Sequence, residues 1–168
     1  GTLGVKSNSI NFELLNTTID PLQLGQILEK LYINKIDNVI MEASSHGLKQ
    51  NRLDGLKFNT AIFTNLSQDH LDYHKNIKNY LRAKLYLFEN LIKKRGNIIT
   101  DEEIPQFKKI KKISINNNLR LHTLDNKNNF EILSHIFRGE TQILKIKYKN
   151  SIRVIKLNLI GRIQIKNL

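Results

Sequence analysis

The chain has no cysteine, no tryptophan, two prolines and a single methionine among its 168 residues. Without cysteine, disulfide frameworks, thiolate nucleophiles and cysteine-ligated zinc or iron–sulfur centres are excluded, and any metal must be held by oxygen or imidazole. Acidic side chains are scarce, 15 Asp+Glu against 27 Lys+Arg, which leaves a net charge of +12 at neutral pH. No apolar run approaches the roughly 18 residues of a membrane span. The start, Gly1-Thr2-Leu3-Gly4, lacks a signal-peptide pattern, so the expectation is a soluble protein without a membrane partner. Hydrophobic residues at 40% and charged residues at 25% are close to globular averages, which excludes a fibrous or disordered chain. The length is that of one domain with a real core.

The excess positive charge attracts phosphate-bearing partners of any kind. It is spread through stretches rich in Lys, Asn and Ile, such as Lys111-Lys112-Ile113-Ser114-Ile115-Asn116-Asn117-Asn118. No basic run is interleaved with stacking aromatics, so solvated surface is favoured over a nucleic-acid site.

Ile10 to Leu15 reads as a short strand. Asp20 is a good helix N-cap, Pro21 fits the first helical position, and Gln23 stands where a capping box wants Glu or Gln. Leu24, Ile27, Leu28 and Leu31 then keep a helical period, which predicts an amphipathic helix. Val39-Ile40-Met41 and Ala61-Ile62-Phe63 are compact apolar runs, each followed by a dense polar cluster. Short all-apolar strands separated by helices predict a parallel α/β sheet, in which ligands bind beyond the carboxyl ends of the strands. Both polar clusters, Glu42 to Gly47 and Thr64 to His70, are therefore expected at one rim. The longest helix is predicted from about Asn76 to Lys94, with Ile98-Ile99 as a further strand. A polar stretch follows from Lys108 to Asn129. Alternation of Leu144, Ile146 and Tyr148 with lysines, resuming at Ile152 and Val154, predicts a late antiparallel meander with one wet face.

Lys84 lies three residues after Leu81 and four before Phe88, on the apolar stripe of the predicted helix. Spacing alone allows a snorkelling lysine or one whose amine is desolvated and chemically reactive. Asp69-His70-Leu71-Asp72-Tyr73-His74 packs two carboxylates and two imidazoles beside a strand end, a donor set suited to magnesium, manganese or zinc. His70 is the better ligand candidate, with Asp72 expected to cap the next helix and His74 to be exposed. Glu42 follows a predicted buried strand, where a carboxylate needs a metal ion or a salt-bridge partner. Ser44, Ser45 and His46 are adjacent residues without a nucleophile elbow, which argues against a serine hydrolase. Gly1 to Ser7 has the wrong spacing for a phosphate loop.

Five ordered segments carry a resemblance: Asn16-Thr17-Thr18; Met41-Glu42-Ala43-Ser44-Ser45-His46-Gly47-Leu48; Gln50-Asn51-Arg52; Phe63 through His74; and Arg82-Ala83-Lys84. Together they resemble the central domain of the Mur ligase family, strongly from Asn16 to about Phe88 and thinly from Lys108 to Ser151. The resemblance implies a phosphate-loop-NTPase-like α/β fold, a mostly parallel sheet flanked by helices with a smaller antiparallel meander near the C-terminus. It implies a cytoplasmic, ATP-dependent amide ligase of peptidoglycan precursor synthesis, acting through an acyl-phosphate. Its substrates would be a UDP-MurNAc-dipeptide and the third stem amino acid, meso-diaminopimelate or lysine.

By the same resemblance Glu42 and His70 would hold magnesium, and Lys84 would match a carbamylated lysine that ligates a second ion. Asn16, Thr17, Thr18, Ser44, Gln50 and Arg52 would match substrate-binding positions. Near Gly161 a late family signature returns, in which Asn167 would match an asparagine on the adenine side of ATP. Ile163 and Gln164 depart from that signature. The family's phosphate loop would lie upstream of Gly1 and its C-terminal ligase domain beyond Leu168. Residues 1–168 are thus expected to form a partial central domain, inactive alone. The competing expectations are a basic module for nucleic acid or a nucleotide-sugar, and a complementing subunit of a split ligase.

Overall fold

The computed structural model describes the chain apart from residues 2, 9, 15, 16, 68, 125–129, 140, 149 and 159–168. Near the start, β1 (Val5–Lys6) and β2 (Asn11–Phe12) form a small antiparallel pair, so the strand expected over Ile10–Leu15 shrinks to two residues. Helix α1 (Pro21–Ile33) begins where the capping residues place it. Asp20 Oδ1 accepts from the amides of Leu22 and Gln23, both at 3.0 Å, which satisfies two of the four amides a helix start leaves unpaired. Leu24 turns inward onto Ile19, Leu48, Leu53 and Leu91, with Ile27 and Leu28 partly buried beside them.

The main sheet has three parallel strands in the order β3 (Phe58–Phe63), β4 (Ile92–Thr100), β5 (Arg120–Thr123). Its register sets Ala61 beside Ile98 and Phe63 beside Thr100. Parallel neighbours need crossover connections. Helix α4 (Ile77–Tyr86), continued by a π turn over Leu87–Leu91, supplies the first, and α5 (Phe107–Asn116) the second. Ala61, Phe63, Leu81, Leu85, Phe88, Ile98, Ile110 and Ile113 form the core between helices and sheet.

Three expectations are corrected here. The helix predicted to reach Lys94 stops at Leu91, because Ile92 already pairs with Phe58 as the first residue of β4. Left-handed Arg95 then leads into Gly96, where a Cβ would sit 2.5 Å from Ile92 Cγ2 and 2.8 Å from the Lys93 carbonyl oxygen. The stretch from Lys108 is a helix and a strand of the main sheet. Its apolar stripe is narrow: Ile110 and Ile113 are buried, while the lysines at 108, 109, 111 and 112 are exposed. Val39-Ile40-Met41 is not a strand, and Ile40 is 99% exposed. No strand pairs with this run among the described residues, and a central parallel strand needs hydrogen-bonding neighbours.

The expected meander is present as an antiparallel sheet of β6 (Phe130–Arg138), β7 (Thr141–Tyr148) and β8 (Ser151–Leu157). Gln142, Leu144 and Ile146 on β7 are buried, and Lys145 and Lys147, which alternate with the last two, are exposed. Ile152 and Val154 stand opposite Lys147 and Lys145, and so share the wet face instead of continuing the apolar one. The register Tyr148↔Ser151 decides that placement, since directly opposed residues lie on one face. No helix among the described residues is long and apolar enough to cross a membrane.

Candidate functional site

After β3 the chain runs through Thr64–Asp69 into α3 (Leu71–His74), a single helical turn, and Asn76 then caps α4 by accepting from the Asn79 amide at 2.9 Å. That cap falls to Asn76; Asp72, expected to play it, lies exposed inside α3. Helix α2 (Ser45–Lys49) packs against α4. Ser44 caps α2, its Oγ accepting from the Gly47 amide at 3.1 Å. Buried Thr18 accepts from the Ser44 amide at 3.0 Å and donates to the Glu42 carbonyl at 3.4 Å.

The two polar clusters meet. The His46 ring lies 5.0 Å from His70, 4.0 Å from Tyr73 and 5.5 Å from His74, centroid to centroid. His74, expected to be exposed, is fully buried, with Nε2 2.9 Å from Ser45 Oγ and its ring stacked 5.0 Å from Tyr80. Tyr80 also meets His70 edge-on at 5.9 Å and lies 5.1 Å below the Lys84 amine. Lys84 Nζ donates to the Asn65 carbonyl at 3.4 Å and sits 5.7 Å from the Phe63 ring, at the carboxyl end of β3. His70 and Lys84 are therefore gathered around one tyrosine. Glu42 is exposed, and its carboxylate lies beside Gly1, where a Cβ would stand 2.6 Å from Oε2.

Electrostatics follow from this packing. Burial lowers the pKa of Lys84, with Asp69 opposing. Burial also lowers that of His74, reinforced by His46, Lys49 and His70 and opposed by Asp72. The unfolded chain therefore binds this proton before the folded one does. Stability present above the ordinary value of 6.5 is lost as pH falls below it, at up to about 1.4 kcal/mol per pH unit. Urea midpoints at pH 7.5, 6.5 and 5.5 should fall in that order, and His74→Gln should flatten the trend; equal slopes for both proteins would contradict it.

Among the expected substrate residues, Thr18, Ser44 and Arg52 come together, Arg52 Nη1 donating to the Thr18 carbonyl at 2.6 Å. Gln50 Nε2 donates to Tyr73 Oη at 3.0 Å, and Thr17, next to Thr18 in sequence, is half-buried. Asn16 and Asn167 lie outside the described residues. Gly47 is required by close approach, since a Cβ there would come 2.5 Å from Thr18 Cγ2. Gly47→Ala should displace Thr18, break its bond to Ser44 and cost about 1–3 kcal/mol of stability by chemical denaturation. Sequence reasoning missed Ser45, Tyr73 and Tyr80. The aromatic spacing Tyr73-His74 and Tyr80-Lys84 was the available signal.

Among the described residues no group of three or more His, Asp and Glu side chains converges to hold a metal ion. By residue type alone the donors suit a divalent cation, although the Glu42 carboxylate stands beside Gly1 while His70 and Lys84 share Tyr80. Glu42 offers oxygen and His70 an imidazole, and the desolvated Lys84 amine suits addition of carbon dioxide, which requires the neutral form.

A parallel α/β domain with an imidazole and a desolvated amine gathered at the carboxyl end of β3 is the class this fold and site define. The chain belongs to the Mur ligase middle-domain family, whose model matches residues 1–168. It is 37% identical over 172 residues to the UDP-N-acetylmuramoyl-L-alanyl-D-glutamate--2,6-diaminopimelate ligase of Rickettsia montanensis, covering 100% of this chain and 36% of that protein. The ligase of the same name from Fusobacterium nucleatum is 36% identical over 176 residues, covering 99% of this chain and 34% of its own length. A solved structure of a ligase of that name superposes with a TM-score of 0.78 at 28% identity, over 99% of this chain and 34% of the other. The chain spans about a third of the length of these relatives.

Proposed function

We propose that the chain supplies the middle domain of an ATP-dependent ligase that joins diaminopimelate to UDP-MurNAc-L-Ala-D-Glu. The observation that carries this reading is the gathering of His70 and the desolvated Lys84 around Tyr80 at the carboxyl end of β3. The names of the relatives support the substrate pair. Glu42, His70 and carbamylated Lys84 would hold magnesium, and Asn167 would contribute on the adenine side. Bound ATP and magnesium supply a transferable phosphoryl group and neutralise its charge.

The chain's own residues bind and orient. Arg52 carries a planar fork of donors for carboxylate or phosphate, and one of its nitrogens already fixes the Thr18 carbonyl. Asn16, Thr17, Thr18, Ser44 and Gln50 add hydroxyl and amide partners for the dipeptide. Calorimetry on the 168-residue chain tests this reading. UDP-MurNAc-L-Ala-D-Glu should bind more tightly than UDP-MurNAc-L-Ala, and Gln50→Ala should weaken the former about 10-fold, the worth of one good hydrogen bond to a charged group. Equal affinity for the two ligands would overturn the assignment.

A further inference from the structure

Two segments bear the residues proposed to hold magnesium, Glu42 to Ser45 and His70 to His74, and a buried hydrogen bond joins them. His74 Nε2 lies 2.9 Å from Ser45 Oγ, and the two residues are 0% and 4% exposed. Ser45 is the first residue of α2, three positions after Glu42, and His74 closes the turn that begins at His70. Tyr73 ties the turn between His70 and His74 to His46 and Gln50 at its surface, and His74 is its anchor in the interior. Helix α3 is four residues long, and His74 is its sole buried residue. Left-handed residues bracket it, His70 at φ 54° and Lys75 at φ 67°, conformations that side chains other than glycine adopt only when their surroundings impose them. Asp69 Oδ1 accepts from the His70 amide at 2.8 Å, and His74 adds the contacts that reach beyond this turn. Its amide donates to the His70 carbonyl at 3.0 Å, and its ring stacks on Tyr80, which meets His70 edge-on and underlies the Lys84 amine.

Stability alone does not account for a histidine here. Its Nδ1 is buried with no hydrogen-bond partner, an arrangement that is worse than an apolar pair of the same shape would be. A polar bond kept at that cost serves geometry, because Nε2 and Oγ meet at only one setting of the two segments.

We propose that His74 is a positioning residue. Through Ser45 it holds the left-handed backbone of His70 and sets the spacing of the Glu42 and His70 segments, so that both can address one divalent cation. The proposal rests on the magnesium reading of the site given above.

Manganese(II) is the probe, with its affinity for the 168-residue chain followed by electron paramagnetic resonance and folding by urea denaturation. His74→Leu should weaken manganese binding about 10-fold or more, the usual effect of losing a group that orients a ligand, while lowering the urea midpoint no further than Ser45→Ala does. His74→Gln carries an amide toward the Nε2 position and should stay within about 3-fold of the parent, a rescue that loss of bulk packing would not give. Where His74→Leu fails to fold, Ser45→Ala takes its place with the same expected loss. Parent-like binding by His74→Leu and Ser45→Ala, beside loss in His70→Ala, overturns the positioning role and leaves the magnesium reading intact. Equal losses in His74→Leu and His74→Gln with Ser45→Ala unaffected also overturn it. If His70→Ala matches the parent, including the case in which neither binds manganese, the magnesium reading itself fails and this proposal falls with it.

Discussion

Phe88→Ala should lower the unfolding free energy by about 3–5 kcal/mol, a large part of the roughly 5–15 kcal/mol that holds a domain of this size. Phe88 is 2% exposed and lies in the π turn that ends α4, where the chain reverses into β4. Its ring meets Phe63 at 6.0 Å, and it shares a cluster with Leu81, Leu85, Ile98 and Ile110. Truncation would remove contacts to both crossover helices and to two strands, and close packing leaves little room for collapse into the hole. Because Phe63 also borders Lys84, the vacancy would reach the candidate site. Ile62 is the control: it lies on the same strand as Phe63 but is 61% exposed, so Ile62→Ala should change stability by no more than about 0.5 kcal/mol. Urea denaturation of both variants gives the comparison, and similar losses for the two would show that the core is not where the packing places it.

Lys84→Met should abolish carbamate formation on the chain and, in a complete ligase carrying this domain, lower the proposed ligation by about 100-fold or more, as expected when a charge-stabilising group is removed. The amine must be neutral to attack carbon dioxide; its nitrogen bonds to the carbon, a proton leaves to water, and an anionic carbamate replaces a cation. Burial against Phe63 and Tyr80 favours that neutral form. With carbon-13 bicarbonate, the parent chain should show one protein-bound carbamate resonance that Lys84→Met lacks. Lys84→Arg should fail equally, since guanidinium stays protonated and cannot take the same step. An arginine variant with the parent's rate would rule out the modified lysine, whatever the fate of the magnesium assignment. Loss of the resonance without loss of rate would separate carbamylation from function.

Several elements were legible in the chain from neighbours a few residues apart. Asp20, Pro21 and Gln23 set the start of α1, because capping involves only one turn of helix. Ala61-Ile62-Phe63 announced a strand of a parallel sheet, and the lysine alternation from Leu144 to Tyr148 announced a meander. Lys84 could be placed on an apolar stripe by counting alone. The strand expected at Val39–Met41 failed for the opposite reason: apolar composition shows that a segment can pair and pack, but pairing depends on a partner from elsewhere in the chain. The hidden helix α5 failed because two buried isoleucines among exposed lysines make too narrow a stripe to stand out. His74 shows the same limit at the site. Residues distant in the chain enclose it, among them Ser45 29 positions earlier, His46 beside it, and Tyr80 six positions later.

The amino-acid order by itself determined the α/β class, the Asp20 cap of α1, the absence of thiol chemistry and the residues that resemble those of the Mur ligases. Tertiary structure alone decided that His74 is enclosed, that His70 and Lys84 share Tyr80, and that Ile152 and Val154 face water. The physical reason is range: caps and periodicity are written within a turn or a strand, whereas burial, register and the meeting of two loops depend on which distant surfaces the folded chain brings together.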